Sequence, residues 1–114
     1  MKIAAEYSFE AAHSLPLVPK DHKCHRVHGH NYRVEVSISG PVDARGFVID
    51  YAELDAAVQP LIDELDHRYL NDIPGLENPT SEFLAVWLKG RIAAKIPFAP
   101  VIRIYETPRY WVEA

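Results

Sequence analysis

The stretch Ile3-Ala4-Ala5-Glu6-Tyr7-Ser8-Phe9-Glu10-Ala11-Ala12-His13 keeps two parities apart. Ile3, Ala5, Tyr7, Phe9, Ala11 and His13 share one, while Lys2, Glu6, Ser8 and Glu10 take the other. That two-residue period belongs to a strand with one buried face. A second run answers it, with Tyr32, Val34, Val36 and Ile38 set against Asn31, Arg33, Glu35, Ser37 and Ser39, and Gly40-Pro41 ends it. Between them lies a polar loop, Leu15 to Lys23, so the two strands are expected to pair as a hairpin.

Downstream the period changes to that of a helix. Asp50 stands where a cap is wanted, and Tyr51, Leu54, Val58, Leu61, Ile62 and Leu65 recur at helical spacing. Pro60 inside that pattern is expected to kink or divide the helix. A turn-rich stretch, Asn71 to Pro79, leads to a second helical pattern through Leu84, Trp87, Leu88 and Ile92, which Pro97 and Pro100 stop. Val101 to Glu106 reads as a third strand and Tyr110 to Val112 as a short fourth. The order is ββααββ, an α+β layout with an antiparallel sheet.

The bulk numbers narrow the function classes. A chain of 114 residues points to one domain, residues 1–114, and 48% hydrophobic with 25% charged residues is an ordinary globular composition. The net charge is −4 and the 12 Lys and Arg are scattered, so no basic face suggests a nucleic-acid partner. No apolar run approaches the roughly 20 residues of a membrane span, and Glu6 and Glu10 follow Lys2 where a secretory leader would be apolar. One cysteine forms no internal disulfide, which suits a reducing compartment, so the expected location is cytoplasmic.

The six histidines carry the chemistry. His28 and His30 are one residue apart, so an extended chain puts both rings on one face, the parity of Tyr32 and Val34. His13 shares the apolar parity of the first strand. In a hairpin all three imidazoles therefore converge at one end of one sheet face. Three neutral imidazoles with an open fourth position describe a catalytic zinc site rather than a closed structural one. Any one of them alone reads more readily as a hydrogen-bonded polar residue than as a ligand; the coincidence of three is what counts. Gly29 between two ligands is expected to let the backbone bend.

Other residues leave two readings open. Cys24, in a polar loop four residues before His28, is a base or nucleophile if its thiol is acidified, and an inert thiol otherwise. Asp66-His67 is either a proton-transfer pair or a histidine at a helix C-terminus. Glu106, at the parity of Ile102 and Ile104, faces the core side and needs a partner. That partner is a heterocycle edge with paired N–H donors, or an arginine such as Arg103 or Arg109.

Taken together, Phe9-Glu10-Ala11-Ala12-His13, Cys24-x-x-x-His28-Gly29-His30-Asn31-Tyr32, Leu65-Asp66-His67, Asn78-Pro79-Thr80-Ser81-Glu82 and Tyr105-Glu106-Thr107 resemble the 6-pyruvoyl-tetrahydropterin synthase superfamily. The spacing of Cys24 from the H-G-H motif is closest to its bacterial 6-carboxy-5,6,7,8-tetrahydropterin synthase branch, which serves queuosine biosynthesis. The resemblance implies the T-fold: barrels of antiparallel strands with helices outside, two trimers stacked into a homohexamer, and active sites between subunits. It implies conversion of 7,8-dihydroneopterin triphosphate to 6-carboxy-tetrahydropterin, acetaldehyde and triphosphate. Zinc would sit on His13, His28 and His30, Cys24 would move the proton, and Asp66 and His67 of a neighbouring subunit would relay it. Glu106 would hold the pterin, with Thr80 and Ser81 contributing further contacts. Lys20, Lys23 and Arg26 would meet the triphosphate, and His22 and His25 receive no role. Two alternatives stand beside this reading: a 6-pyruvoyl product from the same site, and a non-catalytic zinc- or pterin-binding module.

Overall fold

In a computed structural model of residues 1–114, β1 (Lys2–His13) and β2 (His28–Ser39) pair antiparallel along their whole length, from Lys2 opposite Ser39 to His13 opposite His28. A third strand, β3 (Val101–Tyr105), pairs with β2, and β4 (Trp111–Glu113) closes the order β1-β2-β3-β4. The two helices, α1 (Tyr51–Leu65) and α2 (Ser81–Ala93), lie between the hairpin and β3 in sequence, so the ββααββ order and the antiparallel sheet expected from the sequence are found. The fourth strand starts one residue later than the sequence pattern suggested, at Trp111.

Both helices cover one face of the sheet, because that is the face the alternation made apolar. Phe9, Tyr32, Val34, Val36, Ile38, Ile102 and Ile104 meet Leu54, Val58, Leu61 and Leu65 of α1 and Leu84, Leu88 and Ile92 of α2 in one core. Burial of each such aliphatic side chain contributes about 1.5–3 kcal/mol before conformational entropy is set against it. The opposite face, with Lys2, Ala4, Glu6, Ser8 and Glu10 of β1 and Asn31 and Arg33 of β2, stays exposed.

Asp50 caps α1 through Ala52 N–H, and Thr80 caps α2 through Phe83 N–H. Pro60 does not divide α1. It sits on the exposed side of the helix, which runs on unbroken to Leu65. The neighbouring carbonyl of Ala57 accepts from Lys95 Nζ at 3.2 Å. Gly29 does not bend β2 either: the strand runs through it in register opposite Ala12, and a Cβ there would lie 3.4 Å from the Ala11 carbonyl. No helix is long and apolar enough to cross a membrane.

The segment after α1 does what no local pattern foretold. It turns back along β1, forming a parallel bridge between Ala12 and Tyr69, with Ala12 N–H donating to the Arg68 carbonyl and His67 N–H to the Glu10 carbonyl. Asn71 then locks the residue that follows His13. Its Oδ1 accepts from Ser14 N–H at 3.0 Å and its Nδ2 donates to the Ser14 carbonyl at 2.8 Å.

Candidate active site

The hairpin register places His13 opposite His28 and Ala11 opposite His30, so the three imidazoles meet at one end of the helix-covered face. One ring nitrogen from each lies within 4.8 Å of the others. His13 is fully buried, and burial pulls the pKa of both His13 and His30 below the ordinary imidazole value, so both rings are neutral at neutral pH.

The second nitrogens decide what the first can do. His13 Nδ1–H donates to the Pro79 carbonyl at 2.9 Å, and His28 Nδ1–H to the Arg26 carbonyl at 2.7 Å. A carbonyl only accepts, so each ring carries its proton on Nδ1 and presents a bare Nε2 lone pair. In that tautomer the two Nε2 lone pairs face each other at 3.0 Å. Two lone pairs so close repel unless a cation sits against both. His30 Nε2 repeats the theme: it is buried without a hydrogen-bond partner. Glu106 Oε1 lies 3.2 Å from it, close enough for charge attraction but outside hydrogen-bond geometry. Neutral imidazoles with lone pairs turned inward and a carboxylate beside them fit a divalent metal such as zinc.

The ligands rest on a packed floor. Tyr32 stacks on Phe9 with ring centroids 4.7 Å apart and stands edge-on to both His13 and His30. Its hydroxyl oxygen is 3.3 Å from His13 Nδ1, and burial pushes its pKa up, so it remains a neutral phenol.

Glu106 follows β3 directly. Its partners are neither Arg103 nor Arg109: Arg103 pairs with Glu113, while Glu106 Oε2 accepts from Ser81 Oγ at 2.8 Å. The carboxylate opens onto a cleft of about 330 Å³ that Ser81, Glu82 and Tyr110 also line. Thr80 spends its hydroxyl on capping α2, so its contribution here is to fix the start of that helix and with it Ser81.

Asp66 and His67 form a separate corner, on the edge of β1. Asp66 is the C-cap residue of α1, and its Oδ1 accepts from Glu10 N–H and lies 3.0 Å from His67 Nδ1. His67 adopts φ +56°, a left-handed conformation that costs a non-glycine residue about 1 kcal/mol. The bond from its N–H to the Glu10 carbonyl at 2.6 Å holds it there. The Asp66 carboxylate, through hydrogen bond and charge, lifts the His67 pKa above the ordinary value, with Glu10 adding to it 3.6 Å away. The Glu10 N–H, then His67, hold the Asp66 pKa low. One cleft of about 550 Å³ has both His30 and His67 along its wall.

Cys24 sits half-exposed in the 3-10 turn Lys23–His25. Its backbone is pinned from both sides, its N–H donating to His22 Nδ1 and its carbonyl accepting from Leu15 N–H. Its thiol is not among the donor atoms that close on one another at the three histidines. A cavity of about 770 Å³ around Val42, Ile49 and Phe98 holds none of these residues and lies against the other end of the hairpin. The chemistry, not cavity size, marks the site. Sequence reasoning passed over Asn71 and the Pro79 carbonyl; only an asparagine beside turn residues hinted at the first, and nothing at the second.

Comparison with known proteins agrees with this geometry. The family model for 6-pyruvoyl tetrahydropterin synthase matches residues 2–114. The chain is 40% identical to the 6-carboxy-5,6,7,8-tetrahydropterin synthase of Synechocystis sp., over 92% of this chain and 85% of that one. It is 36% identical to the dihydroneopterin monophosphate aldolase of Pyrococcus furiosus, over 84% of this chain and 78% of that one. The solved structure of Caenorhabditis elegans 6-pyruvoyl tetrahydropterin synthase superposes with a TM-score of 0.92 at 29% identity, covering 100% of this chain and 94% of the other.

Proposed function

Since the chain belongs to the 6-pyruvoyl tetrahydropterin synthase family, we propose that it is a zinc-dependent 6-carboxy-5,6,7,8-tetrahydropterin synthase of queuosine biosynthesis. Its reaction is the conversion of 7,8-dihydroneopterin triphosphate to 6-carboxy-tetrahydropterin, acetaldehyde and triphosphate. The observation that carries the reading is the pair of bare Nε2 atoms on His13 and His28, 3.0 Å apart beside the unpartnered His30 Nε2.

His13, His28 and His30 would hold the zinc, which would supply Lewis acidity toward side-chain oxygens of the substrate. The protein's own residues do the rest. The Glu106 carboxylate, kept in place by Ser81 Oγ, accepts two N–H bonds from the pterin edge and so orients the ring. Cys24, in a turn tied to Leu15 and four residues from His28, takes the proton from the substrate side chain. Asp66 favours the charged form of His67, which suits it to give a proton to the departing fragment. The Asp66–His67 corner is anchored to the outer edge of β1, where it is open to a second copy of the chain. The uncovered sheet face and the unpaired edge of β1 from Lys2 to Phe9 support assembly into a barrelled homohexamer built from two trimers, with this corner completing a neighbour's site.

The Drosophila melanogaster 6-pyruvoyl tetrahydrobiopterin synthase, 36% identical over 76% of this chain, keeps the pyruvoyl product as the second reading. The deciding experiment incubates zinc-loaded protein with 7,8-dihydroneopterin triphosphate and identifies pterin and aldehyde by mass. 6-Carboxy-tetrahydropterin with acetaldehyde is the expected result. A 6-pyruvoyl product moves the chain to the sister activity, and no turnover leaves a binding module.

A further inference from the structure

The turn between β3 and β4 brings an aromatic ring to the edge of the Glu106 cleft. Thr107 Oγ1 accepts from the N–H groups of Arg109 and Tyr110, each at 3.3 Å, which fixes the backbone just before β4. Tyr110 stands at the parity of Val112, which lies opposite Ile104 on the helix-covered face. Its side chain is thereby carried toward the start of α2. There it lines the same cleft of about 330 Å³ as Ser81, Glu82 and Glu106.

An exposed tyrosine is ordinary in itself. Tyr51, at the start of α1, is 66% exposed and borders none of the clefts described above, whereas Tyr110, 62% exposed, shares a wall with Glu106. The Arg109 guanidinium lies 5.1 Å from the centroid of the Tyr110 ring. Arg109 is not on the cleft wall, so it takes the far face of the ring and leaves the cleft-side face uncovered. Trp111, the other aromatic on that wall, is already engaged. Arg103 sits 4.3 Å over its ring, and Tyr105 packs beside it at 6.4 Å.

A carboxylate and an aromatic face grip a flat heterocycle in two different directions. The carboxylate takes N–H groups in the plane of the ring but leaves the ring free to tilt about that edge. An aromatic face holds the plane itself. The cleft is also at the small end of the roughly 300–1,000 Å³ of ligand sites, which suits a single bicyclic ring. We infer that Tyr110 is the stacking wall for the heterocycle whose edge Glu106 holds. The inference deepens the pterin reading above and rests on it for the identity of the heterocycle.

The test titrates zinc-loaded protein with pterin, the bare heterocycle without side chain or phosphates, and follows it by calorimetry and by proton magnetic resonance. Stacking on an aromatic face moves the pterin ring protons upfield, a signature that a merely structural role for Tyr110 would not produce. The parent is expected to bind pterin and to show that shift. Tyr110→Ala is expected to weaken binding about tenfold, the scale of one lost base–aromatic stack, and to lose most of the shift at saturation. Tyr110→Phe keeps the face without the hydroxyl and stays within about twofold of the parent. Tyr51→Ala is the control and leaves both readouts unchanged. With 7,8-dihydroneopterin triphosphate, Tyr110→Ala is expected to raise KM about tenfold at a kcat close to the parent's, because stacking serves ground and transition states alike. If Tyr110→Ala binds pterin as tightly as the parent with the same upfield shift, the inference falls and the pterin reading stands. A Tyr110→Phe variant as weak as Tyr110→Ala, or a fall in kcat with KM unchanged, also overturns it. A parent that binds no pterin overturns the inference and the pterin reading together.

Discussion

The two histidine regions of this protein push the same side chain toward opposite charge states. At the end of the hairpin, burial drives His13 and His30 toward the neutral form, and backbone carbonyls take the Nδ1 protons of His13 and His28. At the corner beside β1, His67 is exposed and flanked by the Asp66 and Glu10 carboxylates, which hold its proton. The first environment leaves lone pairs without protons and so asks for a metal ion. The second leaves a proton that can be given away. The partner on the second ring nitrogen, carbonyl or carboxylate, sets which task a histidine can perform.

That contrast predicts different losses when each region is damaged. Replacing His30 with Ala removes one of three donors, which is expected to weaken zinc on the order of a hundredfold to a thousandfold and to abolish turnover. Metal content after dialysis, with circular dichroism to show the sheet intact, checks it. Full zinc retention would remove His30 from the ligand set. Asp66→Asn and Cys24→Ala are expected to behave the other way. Each keeps its zinc while kcat falls roughly 10²- to 10⁴-fold, the range for a lost proton-transfer group. Zinc loss in either variant would merge the two regions into one.

The three-histidine end was legible in the sequence because strand parity is a local signal. Once β1 and β2 pair, the alternation that buries Phe9 and Tyr32 also buries His13 and turns His28 and His30 to the same side. The first helix announced itself through Asp50, which caps as its residue type suggests, whereas Thr80, expected to contact the pterin, caps the second helix. The corner was harder. Asp66-His67 stood out as a pair, but its docking onto β1 depends on the chain doubling back after α1, and no short-range pattern encodes that return. The Pro79 carbonyl that orients His13 is a backbone atom 66 residues away, which no side-chain motif reports. Glu106 was recognisable as a carboxylate facing inward, yet its contact with His30 needed β3 set beside β2 in the observed register.

Asn71 tests how far the two regions depend on the segment that joins them. It holds both backbone groups of Ser14, one residue past His13, and reaches the Glu77 carbonyl at 3.4 Å. Asn71→Ala is expected to lower zinc affinity about tenfold, as loss of an outer-shell partner does, and stability by about 1–3 kcal/mol. Competition with a chelator and a thermal melt read the two separately. Asn71→Asp keeps the acceptor for Ser14 N–H but loses the donor, so its affinity should fall between parent and Ala. If both variants bind zinc as the parent does, His13 is oriented by Pro79 alone.

The smallest effect concerns the proton on His67. With its pKa raised by Asp66, the stabilising contact is fully present below the unfolded imidazole value of about 6.5 and is lost as pH rises through the higher folded value. The Asp66 pKa is lowered, so its share is present above the ordinary carboxylate range and is lost as pH falls through the depressed value. The pair is therefore doubly charged across the whole interval between the two folded values, an interval wider than the free groups would have. A nuclear magnetic resonance titration of the His67 ring should give a midpoint above the unperturbed value. Asp66→Asn should lower it most and Glu10→Gln least, because the Asp66 contact is both shorter and hydrogen-bonded while Glu10 acts by charge alone at 3.6 Å. Equal shifts from the two variants would mean that His67 is shared evenly between the carboxylates. A parent midpoint at or below the unperturbed value would mean that neither contact persists in solution. The contrast with the buried imidazoles would then lose its electrostatic basis.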